Sequence, residues 1–338
     1  MIAVFGATGH TGRFVVSELL RRGLATQAVG RDAAALAACG FQDRGVTTTV
    51  STMDDPASLD LALGGASVVI NCAGPFLDTA RQLIDAALRM RVHYLDVTAE
   101  QESARSTFER FHIPARERDV IVIPAAGFYG GLADLLATVS MGDWTEADDI
   151  EILTALDRWW PTTGTRRTGQ RNTSPRLVLS QGRLEPLRTP STPTQRAFPE
   201  PFGAQDAVEL PFSETIVIAR HLRVSKIRHY LNEAPLRDVR DPATPGPTAD
   251  DERGRSKQLF LMEAIVRNGI AERRSIARGR DIYAFTAPLV VEAAARLRAG
   301  EFERTGSLAL GEAFDALDFL HALSPEHLTF EMNDYMPV

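Results

Sequence analysis

The chain has 338 residues, 44% hydrophobic and 24% charged, which exceeds what one core usually holds and suggests two domains. Its net charge of -7 speaks against nucleic acid as the main partner. Two cysteines, Cys39 and Cys72, suggest neither a disulfide framework nor a metal site. No apolar run approaches the ~18 residues of a membrane span. The first residues already read as a strand, leaving no room for a signal peptide, so a cytoplasmic protein is expected.

In chain order, the apolar run Ile2-Ala3-Val4-Phe5 predicts a buried parallel strand. A helix follows, with Phe14, Val15, Leu19 and Leu20 on one face. Between them lies Gly6-Ala7-Thr8-Gly9-His10-Thr11-Gly12, a glycine turn of the kind that lets a diphosphate approach a helix N-terminus. Strand, turn and helix together make this a dinucleotide site rather than an idle turn.

Strands are predicted next at 26–29, 46–50, 66–72, 92–97 and 120–124. Helices at 33–39, 56–63 and 77–90 alternate with them, and another covers 103–118 where Pro114 should break or kink it. This alternation implies a doubly wound parallel sheet of Rossmann type over residues 1–128, with ligand across the carboxyl ends of its strands.

The end of the second strand carries Gly30-Arg31 where an NAD-selective chain places an acid. Arg31, with Arg13 as a second grip, points to the 2'-phosphate of NADP. Asp32 is placed better as a helix N-cap than as a ribose acid. Asp54 could reach the adenine amino group or serve as a solvated turn residue. Asn71, Ala73, Gly74 and Pro75 end the fourth strand beside the expected riboses and nicotinamide, though Asn71 could simply terminate the strand. The cofactor set is thus Gly6, Thr8, Gly9, His10, Thr11, Gly12, Arg13, Gly30, Arg31, Asp54, Asn71, Ala73, Gly74 and Pro75.

These segments resemble the saccharopine dehydrogenase-like oxidoreductases, together with Val92 to Glu100, Pro124-Ala125-Ala126-Gly127-Phe128 and Asp134. The match spans about the first 140 residues. Beyond them it rests on Gly279-Arg280-Asp281-Ile282-Tyr283-Ala284. The resemblance implies a Rossmann domain, a second α+β domain carrying the substrate, and a homodimer. It also implies hydride transfer at a C–N bond of an amino-acid-like substrate. None of the five tyrosines has lysine four positions later, which removes the short-chain dehydrogenase proton donor.

From Asp149 the pattern changes to one-sided strands at 150–156, 176–179, 215–219 and 224–230. They suggest an α+β domain over residues 129–285, built on a largely antiparallel sheet. The proline-rich 186–201 reads as a loop or edge, and 234–255 as an exposed connection. Helices are expected at 259–268, 288–297 and 311–322, with a strand at 281–285. Residues 286–338 are expected to pack back on the first domain.

Trp159, Trp160, Arg158, Arg166, Arg167 and Arg171 suit either a carboxylate-bearing substrate or a surface loop or dimer contact stabilised by aromatic packing. For proton transfer the candidates are Asp96, Glu100 and Tyr129, with His93 more in keeping with a structural role. Glu100 has the stronger claim to helix capping and Asp96 the stronger claim to catalysis. The reading is an NADP(H)-dependent oxidoreductase. Its alternatives are reduction of a C=C bond in an apolar acyl substrate and a sensor that binds NADP(H) without chemistry.

Overall fold

The computed structural model describes residues 1–188 and 191–335. The first part of the chain alternates as expected. Strands β1 (Ile2–Phe5), β2 (Thr26–Gly30), β3 (Thr47–Val50), β4 (Val68–Asn71), β5 (His93–Asp96) and β6 (Ile121–Ile123) form a parallel sheet. Between them run helices α1 (His10–Arg21), α2 (Ala33–Ala38), α3 (Pro56–Leu63), α4 (Phe76–Met90) and α5 (Gln101–Arg116). Asp32 and Asp55 cap α2 and α3 by accepting the amides two and three residues on. Helix α5 continues through Pro114.

The chain then makes one turn of π-helix at Phe128–Leu132 and enters α6 (Ala133–Met141). It continues through β7 (Ala147–Leu156), α7 (Thr163–Arg171), β8 (Leu177–Ser180), β9 (Arg183–Pro186), β10 (Thr194–Phe198), β11 (Gly203–Glu209), α8 (Glu214–His221), β12 (Val224–Asn232) and α9 (Ala234–Arg240). A long hairpin, β13 (Leu259–Asn268) and β14 (Ala271–Arg280), leads to α10 (Ile282–Ala299). Last come β15 (Gly306–Ser307), α11 (Leu310–Ala313), α12 (Ala316–Leu323) and β16 (Leu328–Tyr335).

The first sheet has the order β15-β6-β5-β4-β1-β2-β3 and is parallel throughout. The second has the path β10-β11-β12-β7-β13-β14-β16 with β8 and β9 to one side, and only its β12–β7 pair is parallel. This is the doubly wound sheet and the mixed, largely antiparallel second sheet expected. The end of the chain serves both: β15 extends the first sheet, α10 packs on α1, and β16 pairs with β14 of the second. Arg22, at the C-terminal end of α1, bonds both Glu18 and Glu292, fastening α10 in place.

Several local expectations fail. Residues 259–268 form strand β13 rather than a helix, because both sheet faces are covered and its long apolar run loses the alternation that marks a strand. Residues 215–219 lie in helix α8, where burial outweighs the strand preference of the β-branched Thr215, Ile216, Val217 and Ile218. The strand expected at 281–285 is the start of α10, capped by Asp281 accepting from the amides of Tyr283 and Ala284. The connection after residue 234 opens with α9, whose Pro235 and Leu236 are buried. The helix expected at 311–322 is split at Phe314. Within the proline-rich 186–201, β10 is an edge strand, while Thr189 and Pro190 lie outside the described residues, as do 336–338 of the C-terminal segment.

Candidate functional site

Strand β1 pairs with β2 on one side and β4 on the other, so the sheet order reverses at β1. Ligands of such sheets sit in the crevice at this reversal, outside the strand ends. Here the crevice is drawn tight by glycine. Gly6 has φ +73°, and a Cβ on it would meet the backbone of Cys72 and Ala73 at 2.8 Å. A Cβ on Gly12 would stand 2.1 Å from the carbonyl of Gly6. Gly9 is the exposed N-cap of α1, and no side chain caps that helix or places an acid in its first turn. The first-turn amides of α1 therefore remain available to an anion. This cradle fits a diphosphate.

Around it, Arg13 is exposed and its Nε donates to the Thr8 carbonyl at 3.0 Å. Gly30 ends β2, with Arg31 and Asp54 exposed in the turns after β2 and β3. Burial lowers the pKa of His10, whose buried Nε2 has no partner and whose ring lies 5.2 Å from Phe14 and 5.5 Å from Tyr283. Thr11 and Gly74 open on the cavity described below. The Asn71 side chain accepts from the Ala73 amide at 2.9 Å and donates to Tyr94 and Thr79, shaping the turn that Gly74 and Pro75 complete.

Where the carboxyl ends of β4, β5 and β6 meet the second sheet there is a cavity of about 390 Å³. Cys72, Gly74, Thr98, Glu100, Phe128, Tyr129 and Thr286 line one side; Trp159, Thr165, Arg176, Leu210, Phe212 and Leu236 line the other. Glu100 Oε2 accepts from the amides of Phe76 and Leu77, at 2.9 and 3.1 Å. It thus caps α4, not the α5 that follows it. Its Oε1 is buried without a partner, and burial pushes its pKa up to about 7, nearby Asp96 adding to the effect.

Asp96 is spent differently. Its Oδ1 accepts from the amides of Thr98 and Ala125 and its Oδ2 from the Tyr94 hydroxyl, all within 3.0 Å. It is fully buried, does not line the cavity, and burial raises its pKa to about 6. Asp96 ties β5 to the turn after β6. Glu100 faces the cleft.

Tyr129 lines the cavity with its hydroxyl buried and unpartnered, its ring stacked 4.1 Å from Phe212. Burial carries its pKa well above 10, so the phenol keeps its proton. His93 Nδ1 faces the Ile121 amide at 3.0 Å, a contact within the sheet.

Residues 1–95 match the NmrA-like family. A saccharopine dehydrogenase-like oxidoreductase of Mus musculus is 26% identical over 152 residues, covering 40% of this chain and 35% of that protein. A trans-acting enoyl reductase of Mycobacterium leprae is 27% identical over 140 residues, covering 40% and 34%. The chain thus spans about a third of the length of the relatives it matches. In structure, an apo saccharopine dehydrogenase (L-Glu forming) of Saccharomyces cerevisiae aligns with TM-score 0.70 at 12% identity, over 98% of this chain and 99% of that one. That likeness shows the fold.

The chain has the saccharopine dehydrogenase fold. Its yeast structural neighbour shares both the doubly wound sheet and the second mixed sheet. Among the described residues, no helix is long and apolar enough to cross a membrane, and no group of His, Cys, Asp or Glu could hold a metal ion.

On this saccharopine dehydrogenase-like frame the arginines divide. Arg166 donates to the carbonyls of Val239, Asp241 and Thr244, Arg171 pairs with Asp78, and Arg158 pairs with Asp157. Arg176, which sequence patterning assigned to the start of a strand, lines the cavity instead. Tyr283, which in the sequence stood in the Gly279–Ala284 segment of the resemblance and was given no site role, bonds Trp159 at 2.9 Å and Thr165 at 2.8 Å across the cavity wall. Neither carries a local signal, because each reaches the cleft through contacts distant in the chain.

Proposed function

We propose that the chain is an NADP(H)-dependent oxidoreductase that transfers a hydride at a C–N or C=N bond of a carboxylate-bearing substrate. The glycine turn Gly6–Gly12 would hold the diphosphate, Arg31 and Arg13 the 2'-phosphate, and Cys72–Pro75 would border the nicotinamide. The bound nicotinamide would supply or accept the hydride. One observation carries the reading: Glu100 Oε1, buried and unpartnered at the cleft, on a carboxyl whose pKa stands at about 7. Such a group can hold a proton at neutral pH and yield it as charge develops.

In the reductive direction, Glu100 would give its proton to the imine nitrogen as hydride reaches carbon. Its carboxylate would then recover a proton from solvent. The two amides of Phe76 and Leu77 stabilise that carboxylate once formed. The aromatic and aliphatic walls favour a second reading, reduction of a C=C bond in an acyl substrate, with the proton delivered to carbon.

The test is NADPH oxidation followed at its absorbance, with imine pairs and enoyl acids offered in parallel. Turnover of an imine, lost at least about 100-fold in Glu100→Gln, would support the first reading. Enoyl turnover alone would favour the second. No turnover of either class by a protein that binds NADPH would return the chain to a cofactor-binding sensor.

A further inference from the structure

Resting on the reading of the cleft as a substrate site, we propose that Arg176 and Tyr129 form its anion-recognition element and that the substrate is a monocarboxylate with an apolar body. Arg176 stands on the cavity wall, and its burial lowers its pKa. Among the described residues no carboxylate comes within ion-pair reach of it. Its guanidinium lies 4.8 Å from the centre of the Phe212 ring, and Nη1 donates to the Pro211 carbonyl. A partly desolvated cation without a counter-charge gains most from an anion that brings its own.

Tyr129 adds the second half. Its ring stacks on the same Phe212, and its buried hydroxyl has no partner although a buried donor left unmade is costly. The planar fork of an arginine and one phenolic donor match the two oxygens of a carboxylate. Phe212 itself is fixed from behind, because its amide donates to both oxygens of the buried Glu214, at 2.9 and 3.0 Å. Glu214 is thereby turned to the backbone, and its charge reaches Arg176 only at a distance.

The rest of the wall sets the body of the ligand. Trp159, Leu210, Leu236 and Val239 offer no charge for a second polar end. Arg240 also borders the cavity, but it is exposed and therefore screened by water. Arg166 and Arg171 are committed to backbone carbonyls and to Asp78. A ligand with one carboxylate and an aliphatic or aromatic remainder matches Arg176, Tyr129 and these apolar side chains.

Calorimetric titration of the full chain, with and without saturating NADPH, tests this with octanoate, 1-octanol and octylamine as probes. Octanoate should bind at least about 10-fold more tightly than 1-octanol, and octylamine should not bind. Arg176→Met should weaken octanoate about 10- to 100-fold and Tyr129→Phe about 10-fold, the loss expected of charge-assisted hydrogen bonds. Arg176→Lys should recover part of the affinity, and it keeps the test open if Arg176→Met misfolds. Arg240→Ala and Arg167→Ala should change affinity less than about 2-fold, as exposed charges do.

Equal binding of octanoate and 1-octanol would overturn the proposal. A loss in Arg240→Ala or Arg167→Ala in place of the Arg176 variants would overturn it too. NADPH affinity is read separately. Its absence beside Arg176-dependent octanoate binding would remove the cofactor reading and leave the subsite standing.

Discussion

Two carboxylates only four residues apart, Asp96 and Glu100, have opposite fates, and burial alone does not separate them. Both are almost wholly buried, and in both the pKa rises because desolvation disfavours the charged form. The difference lies in how many oxygens are spoken for. Both Asp96 oxygens hold donors, whereas Glu100 keeps one oxygen free at the cleft. The raised values carry a stability consequence. A folded state that holds a proton more tightly than the unfolded chain loses stability as pH rises from the unfolded pKa to the folded one. For Asp96 and Glu100 the window runs from about pH 4 to about pH 7, and stability is flat above it. Glu100→Gln removes the upper part of this slope. Urea unfolding at pH 5 and pH 8 should show the wild type losing up to about 3 kcal/mol more than the variant between those values. Equal losses in both proteins would mean that Glu100 is already ionised at pH 5.

The unit β1–turn–α1 was legible in the sequence because every part of it is local. The strand is an apolar run, the turn is spelled in glycine, and the helix has one apolar face. Its glycines also divide into two kinds. Gly12 is a packing glycine whose Cβ would strike the Gly6 carbonyl, so Gly12→Ala should cost about 1–3 kcal/mol in chemical denaturation. Gly9 is exposed, and a Cβ there meets only the Gly6 carbonyl, at 3.1 Å. Gly9→Ala should therefore keep stability within about 1 kcal/mol while weakening NADPH binding at least 10-fold in a fluorescence titration. Loss of stability in both variants would make the turn a structural device only.

The second sheet was less legible, for physical reasons. Strand β13 is covered on both faces and shows no period of two, while α8 is built of β-branched residues that read as strand. In each the deciding term is tertiary burial, which outweighs local preference. The cleft residues split the same way. Glu100 could be placed from its position after β5. Arg176 could not, because its place on the cavity wall is set against Phe212, far along the chain.

At the scale of the molecule, the chain builds the first sheet, crosses to the second, and returns through α10 and β15 before ending on β16. The cleft wall is consequently shared. Thr11 and Gly74 reach it from the first sheet, and Thr165, Thr168 and Gly169 of α7 reach it from the second. Arg171 pairs with Asp78 and binds α7 to the start of α4. A dinucleotide seated on the glycine turn should therefore be felt on α7, across the cleft. Hydrogen exchange with NADPH at 100 times its Kd, where binding stabilises by about 2.7 kcal/mol, should slow amides in residues 6–13 and also in 163–172. NADH at equal concentration should protect both segments less, because it lacks the phosphate that Arg31 would grip. Arg31→Ala should erase most of that difference, a loss of about 10- to 100-fold in NADPH affinity. Protection confined to residues 6–13 would uncouple the cofactor from the second sheet. Equal response to NADH and NADPH would remove Arg31 from cofactor choice. The two outcomes are independent, since Arg31 lies in an exposed turn beyond the cavity wall and α7 forms part of that wall.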